Sequence, residues 1–418
     1  MRVLLINYRY FLSGGPERYM FNVKRALESM GHEVVPFSIK SGRNATTEYE
    51  PYFAEPLGGQ DEAYFDRAKK TPRFAIDVVA RLFYSLHVKR RVRKIIDATR
   101  PDVAYVLHHY NKLSPSVIDA CKERGLKVFV RLSDFFLVCP QAHFLRHDKV
   151  CEECLARGLH RAVIHRCVKG SLVASGLKAL ALYVHKRMMR CYQNVDGFVC
   201  TTEFMKSRME KDGWASEKLH VIPTFSPGGV LVDKDEWAGR GRGGYILYFG
   251  RFAKEKGLDL LVNAYLSTDL SERGVKLVLV GGTKAGLEAC IEQVLPAAVN
   301  IDVKPFLEGE LLGEVIREAL FVVVPSRWYE NLPNVVLEAY AYGKPVIAMK
   351  IGSMPEVVWD QETGLLFERE DYEDLAKKLT QLATSADLRM ALAQGIAKYH
   401  DRFSRERHCG DLMALFEA

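Results

Sequence analysis

The 418-residue sequence has no apolar run of membrane-spanning length, no internal repeat and no low-complexity tract. It has no G-x-G-x-x-G after its first predicted strand, which disfavours a dinucleotide-dependent enzyme. Nine cysteines in so long a chain are not a secreted disulfide framework, so we expect a cytoplasmic location. No motif of a nucleic-acid reader is present, and we expect no nucleic-acid partner. The length allows two globular domains with full cores.

Short β-rich segments alternate with helical patterns along the chain, which predicts two Rossmann-like α/β domains with parallel sheets. The first domain is expected at 1–225, with a cysteine-rich insertion at 139–167. A glycine-rich linker at 226–244 leads to the second domain at 245–395, and 396–418 is predicted to be helical. The predicted strands are Val3–Asn7, Glu33–Ser38, Val103–Leu107, Lys127–Leu132, Gly197–Thr201, His220–Ile222, Tyr245–Phe249, Lys276–Val280, Val299–Val303, Phe321–Pro325, Pro345–Met349 and Gly364–Phe367.

The segment Lys70–Ala98 is predicted to be mostly helical, and Leu172–Tyr192 is predicted to be helical. A shorter helix is expected to begin at Pro333 and to end at Gly343.

The segment Glu330–Glu338, E-N-L-P-N-V-V-L-E, places two carboxylates eight positions apart. Leu332, directly before Pro333, is a poor N-cap, so the first N–H groups of this helix are expected to lack a side-chain partner. A helix start of this kind at a strand end is a natural anion site, and phosphate is its usual occupant. With a carboxylate on each side to accept from hydroxyls, the segment predicts binding of a sugar joined to a phosphate.

Further loops after predicted strands carry residues suited to the same ligand. Arg251 and Lys256 are placed to meet the charge of a diphosphate, although a solvated basic turn is an equal alternative. Gly282 permits close approach of a ligand to bare backbone, and Gly15 precedes a helix-starting proline that offers N–H groups to an anion. Because such loops follow strand ends, we expect them to converge on one cleft.

Three motifs resemble the family 4 retaining glycosyltransferases of GT-B architecture. They are G-G-P-E after the first strand, F-G-R-F-A-K-E-K-G, and W-Y-E-N-L-P-N-V-V-L-E-A-Y-A-Y-G-K-P-V-I-A. The resemblance covers nearly the whole chain and implies two domains facing a cleft, with the last helix crossing back onto the first domain. It also implies a nucleotide-diphosphate sugar donor of UDP, GDP or ADP type and no catalytic metal.

By this resemblance, Glu338 would hold the ribose hydroxyls and Glu330 would contact the donor sugar. The diphosphate would be held by Arg251, Lys256, the N–H groups of Asn334 and Val335, and Gly15. The implied mechanism retains the anomeric configuration: the acceptor hydroxyl attacks the face that the nucleoside diphosphate leaves, and a phosphate oxygen takes its proton. Lys256→Ala is then expected to cut turnover severely and to leave folding intact.

The sequence departs from the family pattern at three places. Many members carry a histidine that contacts the sugar where this chain has Ser133, followed by Asp134, which is kept as a candidate catalytic residue. Lys304 and Pro305 replace the usual glycine near the base, and Ser353 replaces a glycine of a later loop.

Four cysteines lie within twenty-nine residues, and two of them have the C-x2-C spacing of metal ligands. The cluster predicts a structural zinc ion with four thiolate ligands, at Cys139, Cys151, Cys154 and Cys167. The alternatives are four reduced thiols, an iron–sulfur cluster, or histidine ligands from His143, His147, His160 and His165.

Positive charge is concentrated in two segments. Arg67–Lys94 has ten Lys and Arg residues against one acid, and Leu155–Arg190 has eight against none. Apolar residues recur between the charges of the first segment, at Phe74, Val78, Leu82, Tyr84 and Leu86. The first segment predicts either an amphipathic helix on an anionic membrane, with a peripheral location on its inner face, or a core-facing helix with a solvated basic side.

The leading prediction is a retaining glycosyltransferase that acts on a hydroxyl of a glycan or lipid-linked glycan in cell-envelope polysaccharide synthesis. An inactive nucleotide- or sugar-binding protein of the same fold is one alternative, and a nucleotide-sugar epimerase is another. The sequence leaves open the donor base, the sugar, the acceptor and the oligomeric state.

Overall fold

The computed structural model describes residues 1–59, 71–226, 244–291 and 300–418. It divides into two compact units. The first unit consists of Met1–His143, Glu152–Ile222 and Cys409–Ala418. The second consists of Phe144–Cys151 and Pro223–His408. Apart from its two end residues, the predicted linker at 226–244 lies outside the described residues, as do residues 67–70 of the first basic segment.

The described part of the first unit contains a parallel six-stranded sheet. Its strands are β1 (Arg2–Asn7), β2 (Glu33–Phe37), β3 (Val103–His108), β4 (Lys127–Arg131), β7 (Gly197–Cys200) and β8 (Leu219–Val221), in the order β2-β1-β3-β4-β7-β8. Most residues of these strands are buried, as expected for a sheet covered by helices on both faces. The strand order turns back between β1 and β3, and loops at such a switch point leave room for a ligand.

Four helices of the first unit begin after a residue whose side-chain hydroxyl caps them. Each hydroxyl accepts from the backbone N–H of the residue three positions later in the chain, and the capping residues are Thr71, Ser85, Ser171 and Thr202. The helices of this unit are Gly15–Ser29, Pro72–Phe83, Leu86–Thr99, Ser116–Lys122, Glu153–Arg157, His160–Ile164, Leu172–Tyr183, Glu203–Lys211 and Arg405–Glu417. The last of these crosses from His408 of the second unit to Cys409 of the first.

Two predicted helices have different bounds in the structure. The pattern at 70–98 forms two helices because Tyr84 is extended and the Ser85 hydroxyl caps a new start at Leu86. The helix from Leu172 ends as an α-helix at Tyr183 and continues as one π-helical turn over Val184–Met188.

A short hairpin of the cysteine-rich insertion belongs to the second unit. Its strands are β5 (Leu145–Arg146) and β6 (Lys149–Val150), and both turn residues between them have positive φ, as a type I′ turn requires. The Phe144 ring makes an edge contact with Tyr329, with the ring centroids 6.1 Å apart. The insertion is therefore divided between the two units. The prediction of one metal-held loop implied a single local module instead.

The second unit is also built on a parallel six-stranded sheet in its described part. Its strands are β9 (Tyr245–Phe249), β10 (Lys276–Val280), β11 (Ile301–Lys304), β12 (Phe321–Val324), β13 (Val346–Met349) and β14 (Gly364–Phe367), in the order β11-β10-β9-β12-β13-β14. This is the doubly wound Rossmann order, and its switch point lies between β9 and β12. The helices of this unit are Leu258–Leu266, Lys284–Ile291, Gly309–Glu318, Asn334–Ala341, Met354–Val357, Tyr372–Thr384 and Ala386–Tyr399.

Gly257 joins the loop after β9 to the helix Leu258–Leu266 with a φ of 68°. A Cβ atom at this position would lie 2.1 Å from the carbonyl oxygen of Pro325, which follows β12. Only glycine permits both the left-handed backbone and this close approach. The loops after β9 and β12 are thus held against each other at the switch point of the sheet.

Candidate active site

The switch point of the second unit brings together two sequence-predicted residues, Lys256 and Glu330. Lys256 follows β9 and Glu330 follows β12, the two neighbouring strands at which the strand order reverses. The Lys256 Nζ atom donates to Glu330 Oε1 at 2.5 Å, and the Ser326 hydroxyl donates to the same oxygen at 2.8 Å. The carboxyl ends of adjacent parallel strands place a cation and a carboxylate in direct contact here.

The Lys256–Glu330 pair is largely removed from water, with 18% and 13% of the two side chains exposed. Burial acts to raise the pKa of Glu330, but the charge of Lys256 and the hydrogen bonds to the carboxylate outweigh it, and the net pKa lies below 4.5. Glu330 is therefore ionised at neutral pH. Lys256 has two further N–H donors and lies 5.0 Å from the Trp328 ring centroid.

Neighbouring loops hold the backbone of Glu330 in place. The Ser353 hydroxyl, which is fully buried, donates to the Glu330 carbonyl oxygen at 2.7 Å. Next to it, Gly352 has a φ of 56°, and a Cβ atom there would lie 2.9 Å from the Tyr329 ring. The serine that replaces a family glycine thus contributes a hydrogen bond to the loop.

The helix that follows Glu330 begins one residue later than predicted. Pro333 occupies the N-cap position with an extended backbone, and the helix runs from Asn334 to Ala341. No side chain caps this end, so the N–H groups of Asn334 and Val335 face outward at the positive end of the helix dipole. Glu338 lies in the second turn and is half-buried. The geometry suits an anion at the helix start.

Arg251 and Gly282, the other donor-site predictions in this unit, have different surroundings. The Arg251 side chain is 69% exposed and lies 3.3 Å from the Glu255 carboxylate. A Cβ atom on Gly282 would lie 2.4 Å from the Phe252 ring, so packing within the unit already requires a glycine there. Arg251 is free to move toward a ligand, whereas Gly282 has a structural reason for its identity.

The switch point of the first unit holds a second cluster, formed after β3 and β4. Asp134, the residue predicted after β4, accepts from the Tyr110 hydroxyl and, at 2.9 Å, from the Phe136 backbone N–H. The Tyr110 ring stacks on the Phe136 ring with a centroid distance of 4.2 Å. Asp134 is therefore an oriented carboxylate, with 14% of its side chain exposed.

His108 is the residue of this cluster that sequence reasoning missed. Its Nε2 atom lies 3.9 Å from Asp134 Oδ2, and its buried Nδ1 atom has no hydrogen-bond partner within the described part of the chain. Burial lowers the pKa of His108 below 6.5 despite the charge of Asp134, so the imidazole is neutral at pH 7. His108, at the end of the neighbouring strand β3, thus places an imidazole beside Asp134.

A signal for His108 was present in the sequence. The polar run H-H-Y-N directly follows the buried strand Val103–Leu107, and β3 neighbours β4 in the sheet. Parallel strands end at the same edge, so polar residues after one strand meet those after the next.

Gly15 is the first residue of the helix Gly15–Ser29, which no side chain caps and which carries Pro16 in its first turn. Beside it, the Ser13 hydroxyl donates to Glu17 Oε2 at 2.9 Å and accepts from Arg9 Nη1 at 2.9 Å. The buried Glu17 side chain lies at the start of this helix, at the position predicted for the diphosphate. The role of Gly15 stays a prediction.

Lys178 also lies close to the His108–Asp134 cluster. Its Nζ atom lies 5.9 Å from the Tyr110 ring centroid, and burial lowers its pKa to about 8 even though Asp134 acts in the opposite direction. An ammonium group with a lowered pKa near Tyr110 and Asp134 adds a cation to a polar set suited to sugar hydroxyls or to an anionic group.

The predicted zinc site does not fit the structure. All four cysteines lie within the described residues, and these contain no group of three or more His, Cys, Asp and Glu side chains placed to hold a metal ion. Cys151 belongs to the second unit, while Cys139, Cys154 and Cys167 belong to the first. In the described part of the chain, the spacing of the four cysteines therefore does not translate into a ligand set.

A cavity of about 370 Å³ lies in the first unit. Lys186, Tyr192, Asp212, Trp214 and Lys218 contribute to its lining, and none of the predicted site residues does.

Comparison with known proteins decides the family. The family model for Glycosyltransferase Family 4 matches residues 13–225, and the model for Glycosyl transferases group 1 matches residues 233–399. The chain belongs to glycosyltransferase family 4. Its α/β fold is of the GT-B class, as the resemblance implied.

Curated relatives match this glycosyltransferase over part of their length. The lipopolysaccharide core biosynthesis glycosyltransferase LpsE of Rhizobium meliloti is 29% identical over 51% of this chain and 62% of its own. A D-inositol 3-phosphate glycosyltransferase of Saccharomonospora viridis is 34% identical over 41% of this chain and 42% of its own. The glycosyltransferase thus aligns with roughly half the length of the curated relatives it matches.

Solved structures share the fold over the whole chain. The sucrose-phosphate synthase of Thermosynechococcus elongatus has a TM-score of 0.66 and 17% identity, with 100% of this chain and 98% of that chain covered. HepE of Anabaena, solved in complex with UDP-glucose, has a TM-score of 0.63 and 14% identity, with both chains fully covered. At this level of identity the likeness concerns the fold.

Proposed function

We propose that this protein is a retaining glycosyltransferase that moves a hexose from a nucleotide-diphosphate sugar to a hydroxyl of a glycan or lipid-linked glycan. The observation that carries the proposal is the Lys256–Glu330 pair beside the uncapped helix start at Asn334, all at one switch point. A cation, two outward N–H groups and an ionised carboxylate are the groups that a sugar joined to a diphosphate requires.

Each group has a defined part in binding the donor. The N–H groups of Asn334 and Val335 and the Lys256 ammonium bind the diphosphate, and exposed Arg251 moves onto it from the loop. Glu330 accepts from hydroxyls of the sugar while its other contacts hold it in place, and Glu338 accepts from the ribose. Because Lys256 has three donors, it binds the phosphate without giving up Glu330.

In the proposed reaction the bond between the anomeric carbon and the leaving phosphate oxygen breaks, and the acceptor oxygen bonds to the same face of that carbon. The acceptor proton passes to a phosphate oxygen of the departing nucleoside diphosphate. The Lys256 charge and the helix start stabilise the negative charge that develops on that leaving group. The neutral His108 imidazole and Asp134 bind hydroxyls of the reacting sugars.

The substrate classes follow from the relatives. Two structural neighbours of the GT-B fold were solved with UDP, which makes UDP-sugars the first donors to test, before GDP- and ADP-sugars. A relative named for lipopolysaccharide core biosynthesis supports an acceptor in cell-envelope polysaccharide, with the enzyme at the cytoplasmic side of the membrane.

The decisive experiment measures binding and turnover with a panel of UDP-, GDP- and ADP-hexoses. We expect one donor to be hydrolysed slowly and to be transferred when an acceptor is added, with retention of configuration in the product by proton NMR. Inversion in the product would contradict the retaining mechanism. Binding of a donor without hydrolysis or transfer to any acceptor would favour the inactive binding protein, and release of an epimerised donor would favour an epimerase.

A further inference from the structure

The helix Leu172–Tyr183 exposes a row of large apolar side chains. Val173, Leu177, Leu180 and Tyr183 follow one another at spacings of four, three and three residues, and they are 70%, 38%, 51% and 51% exposed. Ser175, Ala179 and Leu182, on the opposite side of the helix, are buried. A surface helix of a globular protein normally turns its apolar side inward, and here both sides are apolar.

The apolar row continues past the end of the helix. Met188 and Met189, at the end of the π-helical turn, are 69% and 42% exposed. The turn itself is fixed, because the buried His185 ring bonds the Phe83 carbonyl oxygen through Nε2 at 2.6 Å. We call these six exposed side chains of the first unit, from Val173 to Met189, the 173–189 surface.

The segment that carries the 173–189 surface has basic residues and no acidic ones, although Asp212, from a later segment, pairs with Lys186. No acidic residue occurs between Leu155 and Arg190, and exposed cations stand at both ends of the row. Arg166 and Lys169 precede the helix, while Arg187 and Arg190 lie in or directly after its final turn. An apolar row with cations at both ends complements the interface of an anionic lipid bilayer, where negative headgroups lie over apolar acyl chains.

The first basic segment is less suited to the same purpose. Phe74 and Leu82, from its predicted apolar face, are buried in the protein. Of its cations, Arg81 donates to carbonyl oxygens of Glu55 and Lys112, and Lys89 pairs with Glu123 at 2.7 Å. The core-facing interpretation therefore fits Phe74 and Leu82, whereas Ile76, Val79 and Leu86 of the same segment are 69%, 47% and 60% exposed. The membrane contact at 67–94 stays a prediction.

We propose that the 173–189 surface docks on an anionic lipid bilayer. The helix lies in the plane of the interface, with its apolar row among the acyl chains and the arginines at the level of the headgroup phosphates. In the described residues no helix is long and apolar enough to cross a membrane, so attachment is peripheral. The proposal does not depend on the proposed reaction, because vesicle binding requires neither donor nor acceptor.

Flotation of the full-length protein with vesicles tests the proposal. We expect binding at low salt to phosphatidylcholine vesicles that contain about a third phosphatidylglycerol, and little binding to phosphatidylcholine alone. The double variant Leu177→Ser with Leu180→Ser is expected to reduce the partition coefficient roughly tenfold or more. Leu311→Ser is the matched control, since Leu311 is 62% exposed on a helix of the second unit.

The charge contribution has its own pair of variants. Arg187→Gln with Arg190→Gln is expected to weaken binding about 30-fold, since each cation near an anionic surface contributes roughly fivefold. Arg405→Gln with Arg407→Gln removes two exposed cations of the second unit and is expected to change nothing. Ile76→Ser with Val79→Ser tests the helix Pro72–Phe83 in the same way and is also expected to change nothing.

A fluorescence measurement avoids any question of folding in these variants. Leu180→Trp is expected to shift its emission to the blue when anionic vesicles are added, whereas Leu311→Trp is not. The proposal is overturned if the natural protein does not float with anionic vesicles at low salt, or if the leucine double variant floats equally well. It is also overturned if sedimentation shows a dimer that the leucine double variant abolishes, because a second copy then covers the surface.

Discussion

The contact between Lys256 and Glu330 changes what a lysine variant measures. The sequence predicts that an alanine at position 256 lowers turnover alone, but the lysine also neutralises a carboxylate that is mostly out of water. Removing the cation leaves that carboxylate without its charged partner, so stability is affected together with activity.

Lys256→Met is predicted to lower kcat by roughly 100-fold or more, the usual effect of losing one preorganised group that stabilises a leaving charge. It is also predicted to lower the free energy of unfolding at pH 7 by about 2 kcal/mol. Lys350→Met is the matched control, since Lys350 is 55% exposed and pairs with Glu368 at 3.1 Å. The control is expected to stay within about 0.5 kcal/mol of the natural protein.

The pH dependence of this loss has a definite sign. In the natural protein the pKa of Glu330 is lowered, so its pair stabilises the fold above pH 4.5, and that contribution is lost as the pH falls through the lowered value. In Lys256→Met the opposing charge is gone and burial raises the pKa of Glu330. Urea unfolding should therefore show the difference between variant and natural protein shrinking from pH 7 to pH 4. A constant difference would contradict the pairing.

His108→Ala is predicted to lower kcat/KM for transfer by about 10- to 100-fold, as expected when a hydrogen bond to a sugar hydroxyl is lost. The fold should be retained, with circular dichroism unchanged. Because burial lowers the pKa of His108, activity of the natural enzyme should be insensitive to this group between pH 7 and 8 and should decline only in acid, below about 6.5, as the imidazole takes up a proton.

His32→Ala, which changes a half-buried histidine at the other end of the first sheet, serves as the control for this experiment. Equal kcat/KM values in His108→Ala and the natural enzyme would remove His108 from the site and leave Asp134 as a structural residue of its turn.

Among the elements, the two loops at the switch point of the second unit depend on a glycine. Gly257→Ala would place a Cβ atom 2.1 Å from the Pro325 carbonyl oxygen, at a φ of 68°. We predict a loss of more than about 2 kcal/mol in stability, and lower activity because the loops that carry Lys256 and Glu330 must separate.

Gly274→Ala is the control that separates the cost of a left-handed backbone from the cost of the close contact with Pro325. Gly274 has a φ of 79°, but no atom lies within 4 Å of the point that a methyl group would occupy, so only the cost of a left-handed alanine applies, about 1 kcal/mol. Thermal unfolding of both variants checks the comparison, and equal melting temperatures would show that the Pro325 contact is irrelevant.

The bounds of the elements are predicted best where hydrophobic runs are short and bordered by glycine or charge. Tyr245–Phe249 and Lys276–Val280 have the same ends in the sequence and in the structure. The segment 70–98 is mostly helical, as predicted, but the break at Ser85 is not predicted, because the hydrophobic pattern alone does not mark this residue as an N-cap, although its side chain accepts from Val88.

Some parts of the candidate site could be predicted from the sequence better than others. Lys256 and Glu330 lie on loops that follow adjacent strands, and strand order is fixed by the doubly wound pattern, so their meeting could be anticipated. The same argument applies to His108 and Asp134, which follow the adjacent strands β3 and β4, although only Asp134 is predicted. The lack of a ligand set among the cysteines in the described residues depends on tertiary structure. The hydrophobic period of a strand or helix, two or 3.6 residues, identifies elements but does not indicate that the hairpin at 144–151 will pack in the second unit.

In the whole molecule, the last residues of the chain complete the core of the first unit. Phe416 packs against Tyr105 and Phe129, with ring centroids 5.4 and 5.2 Å apart. Phe416→Ala is predicted to cost about 3–5 kcal/mol, as for other buried aromatics. Phe306→Ala is the control, since Phe306 is 65% exposed, and it should change the free energy of unfolding by less than about 0.5 kcal/mol.

Denaturant unfolding of the full chain measures both variants. A Phe416→Ala protein as stable as the Phe306→Ala control would show that the terminal helix contributes little to the first unit.

The division of the chain into two units also sets the order in which they can complete folding during synthesis. Amino-terminal domains usually fold first as they leave the ribosome. Here the first unit waits for Cys409–Ala418, which are made after every residue of the second unit. Until these residues have been made, Tyr105 and Phe129 lack their contact with Phe416. The amino-terminal half is therefore the last part of the protein to reach its final form, and the part that most needs protection by chaperones while the chain is still attached to the ribosome.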